Sequence, residues 1–327
     1  MNIQILDTHF QGMSQVTAVY LLVGPDGPVL IETGPGSTLP AIISGLDRHG
    51  FRPADIKHVL LTHIHLDHAG AAGWWARQGA QIYVHHVGAP HLIDPGKLLA
   101  SATRIYGDRM DTLWGEFLSA PAEKVTALYD GDTVEAGGLT FTALDTPGHA
   151  YHHHTYILDT LETEFLGRNS VSRRIAFTGD AAGVRLPQFN VVDLPAPPPE
   201  FHLETWLRTL DRLEAAAADV IYPTHFGPIR DISGHLGELR ALMVDAVAFV
   251  AARVEDLRGG AGDDPQIAKE PIAPPLRSKL LEEYIGWNRA RAAALDLSPT
   301  AVESYELANP LFMSVDGILR YLRKRGQ

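Results

Sequence analysis

Four side chains able to bind metal ions fall within six positions of the stretch "THIHLDHAG": His63, His65, Asp67 and His68. The run Val59-Leu60-Leu61 leads in with the apolar character of a strand, and Ala69-Gly70-Ala71-Ala72 leads out towards a helix. Alternate side chains of extended backbone share a face, so His63 and His65 can grip one ion together. Asp67 and His68 sit where the loop turns into the helix and could hold a second ion. Imidazole suits zinc, iron, copper and nickel, and carboxylate adds affinity for harder ions such as manganese. A lone histidine is ordinarily a surface or core residue; this density of ligands behind a strand predicts a metal centre.

Other stretches follow the same pattern. "FTALDTPGH" ends a strand at His149, "IAFTGD" at Asp180, "VIYPTHFG" at His225 and "VLIETG" at Glu32. Loops held at strand ends by a rigid scaffold commonly carry sites, which predicts one rim of one sheet system. "HAYHHHTY" adds His152, His153 and His154. Strand alternation sends these to opposite faces. One is expected to support the site or line a pocket, the rest to lie at the surface, and none to bind a further metal. His85, His86, His91, His202 and His235 are read as ordinary histidines.

The elements that must position these residues alternate in the first half. "VTAVYLLVG" and "PVLIETG" flank Gly24-Pro25-Asp26-Gly27 and predict a hairpin. "LPAIISGLDRHG" reads as a helix, "IKHVLLTH" and "QIYVHH" as strands, and "AGAAGWWARQG" as a short helix between them. Residues 88 to 128 read as a helical excursion carrying Tyr106, Met110, Trp114 and Phe117. Strands return at 139–149, 154–158 and 174–180. A proline-rich loop, a helix and a last strand at 220–227 follow. Beyond residue 236 only helices are predicted, with a linker at "AGDDPQIAKEPIAPP" and N-caps at Ser298 and Ser314. The expected division is a metal-binding region over 1–236 and a helical segment over 237–327, packing on or near the active site. That segment's aromatic and apolar residues, Tyr284, Trp287, Tyr305, Leu311, Phe312 and Met313, could meet the excursion to wall an apolar pocket above the metals.

Composition narrows the function classes. The 327 residues carry a net charge of −12, which argues against nucleic acid or an anionic membrane as partner. There is no cysteine, so disulfides, thiol catalysis and thiolate ligands are excluded. The first residues lack the basic and apolar regions of a signal peptide, and no apolar stretch approaches the roughly 20 residues of a membrane span. The cytoplasm is the expected location and a small molecule the expected partner; a homo-oligomer is compatible with the sequence.

The ordered motifs "THIHLDHAG", "DTPGH", "FTGD" and "PTHFG" resemble those of the metallo-β-lactamase superfamily over roughly residues 15 to 230. The resemblance implies an α+β four-layer αββα sandwich with a dinuclear site at one edge. Carried over by motif, His63, His65 and His149 would bind the first metal, Asp67, His68 and His225 the second, and Asp180 would bridge them. The cofactors implied are two divalent transition-metal ions, zinc foremost, with iron or manganese as alternatives. The implied activity is hydrolysis of a small ester, lactone or thioester by a metal-bridging hydroxide, with Asp67 the catalytic residue that later takes up its proton. Glu32 stands where the family usually has aspartate, so its contact is expected to shift or to run through water. Thr62 and Thr178 are further supporting candidates.

Within the superfamily, His65 argues against flavin-linked oxygen reductases and Asp180 against cysteine-ligand lactamases. "AAGVRLPQFN" differs from the glutathione-binding segment of glyoxalase II, and Gly183 stands where lactonases commonly carry tyrosine. The chain most resembles a hydrolase subgroup, related to glyoxalase II and lactonases, with a "PPPEFHLETWLRTLDRL" helix and a C-terminal "ANPLFMSVDGILRYLRK"; this names no substrate. Two alternatives remain open: an iron oxygenase of the persulfide dioxygenase type, using the equivalents of His63, His149 and Asp180, and a metal-binding regulatory protein.

Overall fold

A computed structural model describes residues 3–163, 170–257 and 273–325. Strands β1 (Ile3–Asp7), β2 (Ala18–Gly24), β3 (Gly27–Ile31), β4 (His58–Leu60), β5 (Gln81–His85) and β6 (Val125–Leu128) form one sheet in sequence order. Strands β7 (Thr133–Ala136), β8 (Leu139–Asp145), β9 (His154–Thr163), β10 (Ser170–Gly179) and β11 (Val220–Pro223) form the second, in the order β11-β10-β9-β8-β7. The pairs β3–β4, β4–β5, β5–β6 and β10–β11 are parallel, the rest antiparallel.

Helix α1 (Leu39–Arg48) follows β3, and α2 (Leu66–Ala69) and α3 (Ala72–Arg77) follow β4. The excursion holds α4 (Ala89–Ile93), α5 (Gly96–Tyr106) and α6 (Met110–Trp114). Then come α7 (Leu203–Ala215), α8 (Ile232–Leu257), α9 (Pro274–Ala294), α10 (Pro299–Ala308) and α11 (Leu311–Arg325).

Period-two alternation sorts the strand residues into layers. Tyr20, Leu22, Val29 and Ile31 face Phe141, Tyr156, Leu158 and Phe177 between the sheets. Their neighbours Val19, Leu21, Leu30 and Val59 pack outward on Ile42, Leu46 and Trp75 of α1 and α3. Ala176 and Ile221 pack on Trp206, Leu210 and Met243 of α7 and α8. The result is helix, sheet, sheet, helix: the expected αββα sandwich with a helical C-terminal region. Among the described residues, no helix is long and apolar enough to cross a membrane.

Several expectations need correction. The strands β1, β6 and β7 are additions to those expected from the sequence, and β6 closes the excursion, for which only helix was named. Ser298 does cap α10, accepting from the Ala301 amide. Ser314, expected as a cap, is buried inside α11 and donates to the Leu194 carbonyl at 2.9 Å. The expected helix end at Gly259-Gly260 and most of the linker lie outside the described residues, although Pro274 and Pro275 open α9.

Candidate metal centre

Each candidate side chain leaves the C-terminal end of a strand. Glu32 follows β3, His63 and His65 follow β4, and Asp67 and His68 lie in α2. His149 follows β8, Asp180 follows β10 and His225 follows β11. Two glycines permit this convergence. A Cβ on Gly70 would lie 2.4 Å from the Leu66 carbonyl oxygen and 2.8 Å from Pro35 Cα. Gly179, at φ +50°, would put one 2.4 Å from Thr62 Oγ1.

The side chains form two groups. His65 Nδ1 lies 2.8 Å from His63 Nε2 and 2.9 Å from His149 Nε2. An ion with bonds of roughly 2.0–2.1 Å would set such nitrogens slightly further apart. In the second group, Asp67 Oδ2 is 3.3 Å from His225 Nε2 and 3.6 Å from His68 Nε2. Asp180 stands between the groups. Its Oδ1 lies 3.3 Å from His68 Nε2 and 3.6 Å from His225 Nε2, and its Oδ2 lies 3.4 Å from His149 Nε2. His68 Nε2 and Asp180 Oδ1 are buried yet find no hydrogen-bond partner. Buried polar atoms normally have one. Both sets could hold a metal ion.

The surroundings set the ring tautomers. His149 Nδ1 lies 2.8 Å from the Pro195 carbonyl and His225 Nδ1 2.8 Å from the Val16 carbonyl. A carbonyl can only accept, so both Nδ1 atoms carry the proton and both Nε2 lone pairs face inward. His63 Nδ1 lies 3.1 Å from Thr62 Oγ1, whose own proton goes to Glu32. Glu32 also holds His68 Nδ1 at 3.1 Å and accepts from Thr224 at 3.1 Å, so its contacts are direct. Ligating histidines almost always have such a partner on their other nitrogen.

Burial pushes His63, His65 and His149 down, His65 to about 3, leaving them neutral. Burial would also lower His68 and His225, but the surrounding carboxylates, Asp180 foremost, outweigh it and hold both above the ordinary value. Burial would raise Asp67 and Asp180. The histidines win there, taking Asp67 to about 2 and Asp180 well below the usual range. The carboxylates that favour positive charge on these two rings would equally favour a bound cation.

The three histidines after His149 are all buried, which corrects the surface expectation for two of them. His153 Nε2 accepts the Asp180 amide at 3.2 Å and its Nδ1 donates to Thr146 at 2.8 Å. His152 lines the cavity, with its Nε2 3.4 Å from Glu200 Oε2. His154 Nε2 and His85 Nε2 lie 2.7 and 3.4 Å from Asp145 Oδ1. These three side chains are close enough to take an ion. However, His85 Nδ1 accepts from the Val87 amide at 3.1 Å, so its Nε2 bears the proton and donates to Asp145. That tautomer suits a hydrogen-bonded tie between the two sheets rather than a ligand. Thr62 supports the site as expected; Thr178 Oγ1 is buried without a partner.

Above both groups lies a cavity of about 410 Å³. His65, Asp67, His149, Asp180 and His225 form its floor. Leu98, Ala102, Ile105, Tyr106 and Trp114 of the excursion form one wall, and Leu307, Phe312 and Met313 of the C-terminal helices another. Tyr284 and Trp287 pack on Phe249, and Tyr305 on Phe189, instead. His91 and Glu200, which sequence reasoning passed over as cavity residues, also line it. No local signal marked them, because the proline-rich loop carrying Glu200 reaches the site only through packing.

Residues 15–161 match the family model of the metallo-beta-lactamase superfamily. Over those residues the chain is similar to that superfamily. It is 27% identical over 217 residues to the metallo-beta-lactamase fold-containing protein ST1585 of Sulfurisphaera tokodaii, covering 65% of this chain and 74% of that one. It is 25% identical over 281 residues to the atrochrysone carboxyl ACP thioesterase of Aspergillus fumigatus, covering 83% of this chain but 53% of that relative. The chain therefore spans about half the length of that thioesterase. The crystal structure of the metallo-beta-lactamase family protein TTHA1429 from Thermus thermophilus superposes with a TM-score of 0.61 at 23% identity, covering 99% of this chain and 94% of that one. This last likeness bears on the metallo-beta-lactamase fold alone.

Proposed function

We propose that the chain is a dinuclear metallohydrolase acting on an ester, lactone or thioester with an apolar acyl group. The observation that carries this reading is Asp180, whose two oxygens face the two histidine groups separately, beside a second buried atom, His68 Nε2, that lacks a partner. His63, His65 and His149 would hold one divalent ion, Asp67, His68 and His225 the other, and Asp180 both. Zinc is the first choice, iron or manganese the alternatives. Two such ions, when bound, supply a nucleophile from water at neutral pH and polarise a carbonyl.

This chain's residues do the rest. Glu32, Thr62 and the Pro195 and Val16 carbonyls fix the rings. The apolar walls hold the acyl group and exclude bulk water. Asp67, a partly exposed carboxylate on the cavity floor, takes up the proton that the attacking water gives up. The relative named as a thioesterase supports a thioester among the substrates. A complete second group, Asp67–His68–His225, favours this reading over a single-iron oxygenase. Elemental analysis of protein purified without chelator, with a screen of ester, lactone and thioester substrates, tests it. One ion per chain, or hydrolysis by metal-free protein, would overturn it.

A further inference from the structure

Among the described residues, Tyr106 is the one phenol lining the cavity. It ends α5, and its ring meets Trp114 edge-on at 5.0 Å, with Trp114 stacked on Phe10 at 5.5 Å. The ring is therefore held by packing. The side chain is half-buried, and its hydroxyl opens on the cavity with no hydrogen-bond partner among the described residues. Of the other polar side chains there, His152 serves Glu200 at 3.4 Å and Asn309 serves Asp193 at 2.9 Å, Thr17 Oγ1 lies 3.4 Å from His225 Nδ1, and Ser101 and His91 are half-buried in the lining. Lys97 and Arg109 stand exposed at the rim. Burial, and then the Asp67 carboxylate, push the Tyr106 hydroxyl up, so it keeps its proton at any working pH.

We propose that Tyr106 donates a hydrogen bond to the substrate's carbonyl oxygen as that oxygen gains negative charge, making it a catalytic residue supplied by the excursion. The inference rests on the hydrolase reading. Asp67, on the floor of the same cavity, is an acceptor suited to a proton, and Tyr106 a donor suited to an oxyanion. A preorganised donor needs little reorganisation during reaction, which is why losing one such donor commonly costs about 10²–10³ in kcat.

The test compares the metal-loaded wild type with Tyr106→Phe, which keeps the ring against Trp114. Metal content and Tm should not change. On any ester or thioester the wild type cleaves, kcat should fall about 100-fold with KM within about three-fold. A second readout does not need turnover: calorimetric binding of butylphosphonate, a tetrahedral anion with an apolar tail, should weaken by about ten-fold or more. Unchanged kcat or unchanged phosphonate affinity in Tyr106→Phe would overturn the proposal. A wild type that cleaves none of the substrates would count against the hydrolase reading, and the phosphonate comparison would still decide the role of Tyr106.

Discussion

Glu32 Oε1 lies 3.1 Å from His68 Nδ1, and both side chains are wholly buried. The same oxygen accepts from the Thr62 and Thr224 hydroxyls, so one carboxylate ties together the strand ends that carry His63, His68 and His225. Glu32 holds a backbone φ of +68°, a left-handed conformation uncommon outside glycine, and its amide donates to the Leu60 carbonyl at 2.9 Å. Glu32→Gln keeps the length and removes the charge that orients His68. It should weaken metal binding at the Asp67–His68–His225 group by about 10–100-fold, as read by chelator competition. Glu32→Asp should do the same by falling short. Wild-type affinity in both variants would show that Glu32 does not support the metal.

Removing the carboxylate that faces both groups should be felt at each. Asp180→Asn is expected to lose most of both ions, whereas His225→Ala should lose about one of two, by elemental analysis after dialysis. Equal losses in the two variants would contradict the placement of Asp180 between the groups.

His149 and His235 are both buried histidines with different partners. His149→Ala removes a candidate ligand and should cost activity by more than the roughly 10–100-fold typical of a supporting residue. His235 Nε2 donates to the Ala182 carbonyl at 2.7 Å, away from the metal groups. His235→Ala should leave metal content and kcat near wild type while lowering stability by about 1–3 kcal/mol, the cost of an unmet buried acceptor. Denaturant melts and metal analysis on the pair decide the point.

The cavity makes acyl length a variable. Each buried methylene is worth about 0.8 kcal/mol, or roughly four-fold, until the space is filled. A chain-length series should therefore raise kcat/KM by several-fold per carbon and then level off. Ala102→Trp, which fills one wall, should move the plateau to shorter chains without altering metal content. A flat series, or a preference for anionic acyl groups, would remove the apolar-pocket reading.

Asp145 takes hydrogen bonds from His154, its neighbour in the same sheet, and from His85 of the other sheet. If it is a structural tie, Asp145→Asn should lower stability by about 1–2 kcal/mol and leave the metal count of the wild type unchanged. Loss of one ion per chain in this variant would instead reveal a third bound metal.

The ligand-type residues were legible as candidates because they cluster at strand ends in short, unusual strings, and the long apolar runs announced the central strands. β1, β6 and β7 were not legible. They lie at sheet edges, where strands are short and carry polar residues that resist pairing with other chains, so their sequences read as loop. Spacing alone likewise proposed Ser314 as a cap, but the Leu194 carbonyl, distant in sequence, takes its hydroxyl. The sequence by itself determined which chemistry the chain can offer: imidazoles and carboxylates without thiols, on strands of period two. Only the tertiary structure decided that the oxygens of Asp180 face different groups, that Glu32 reaches His68 directly, and that α5 and α11 close a cavity over them. These relationships join residues far apart in sequence. They depend on how sheets and helices pack, which no local pattern records.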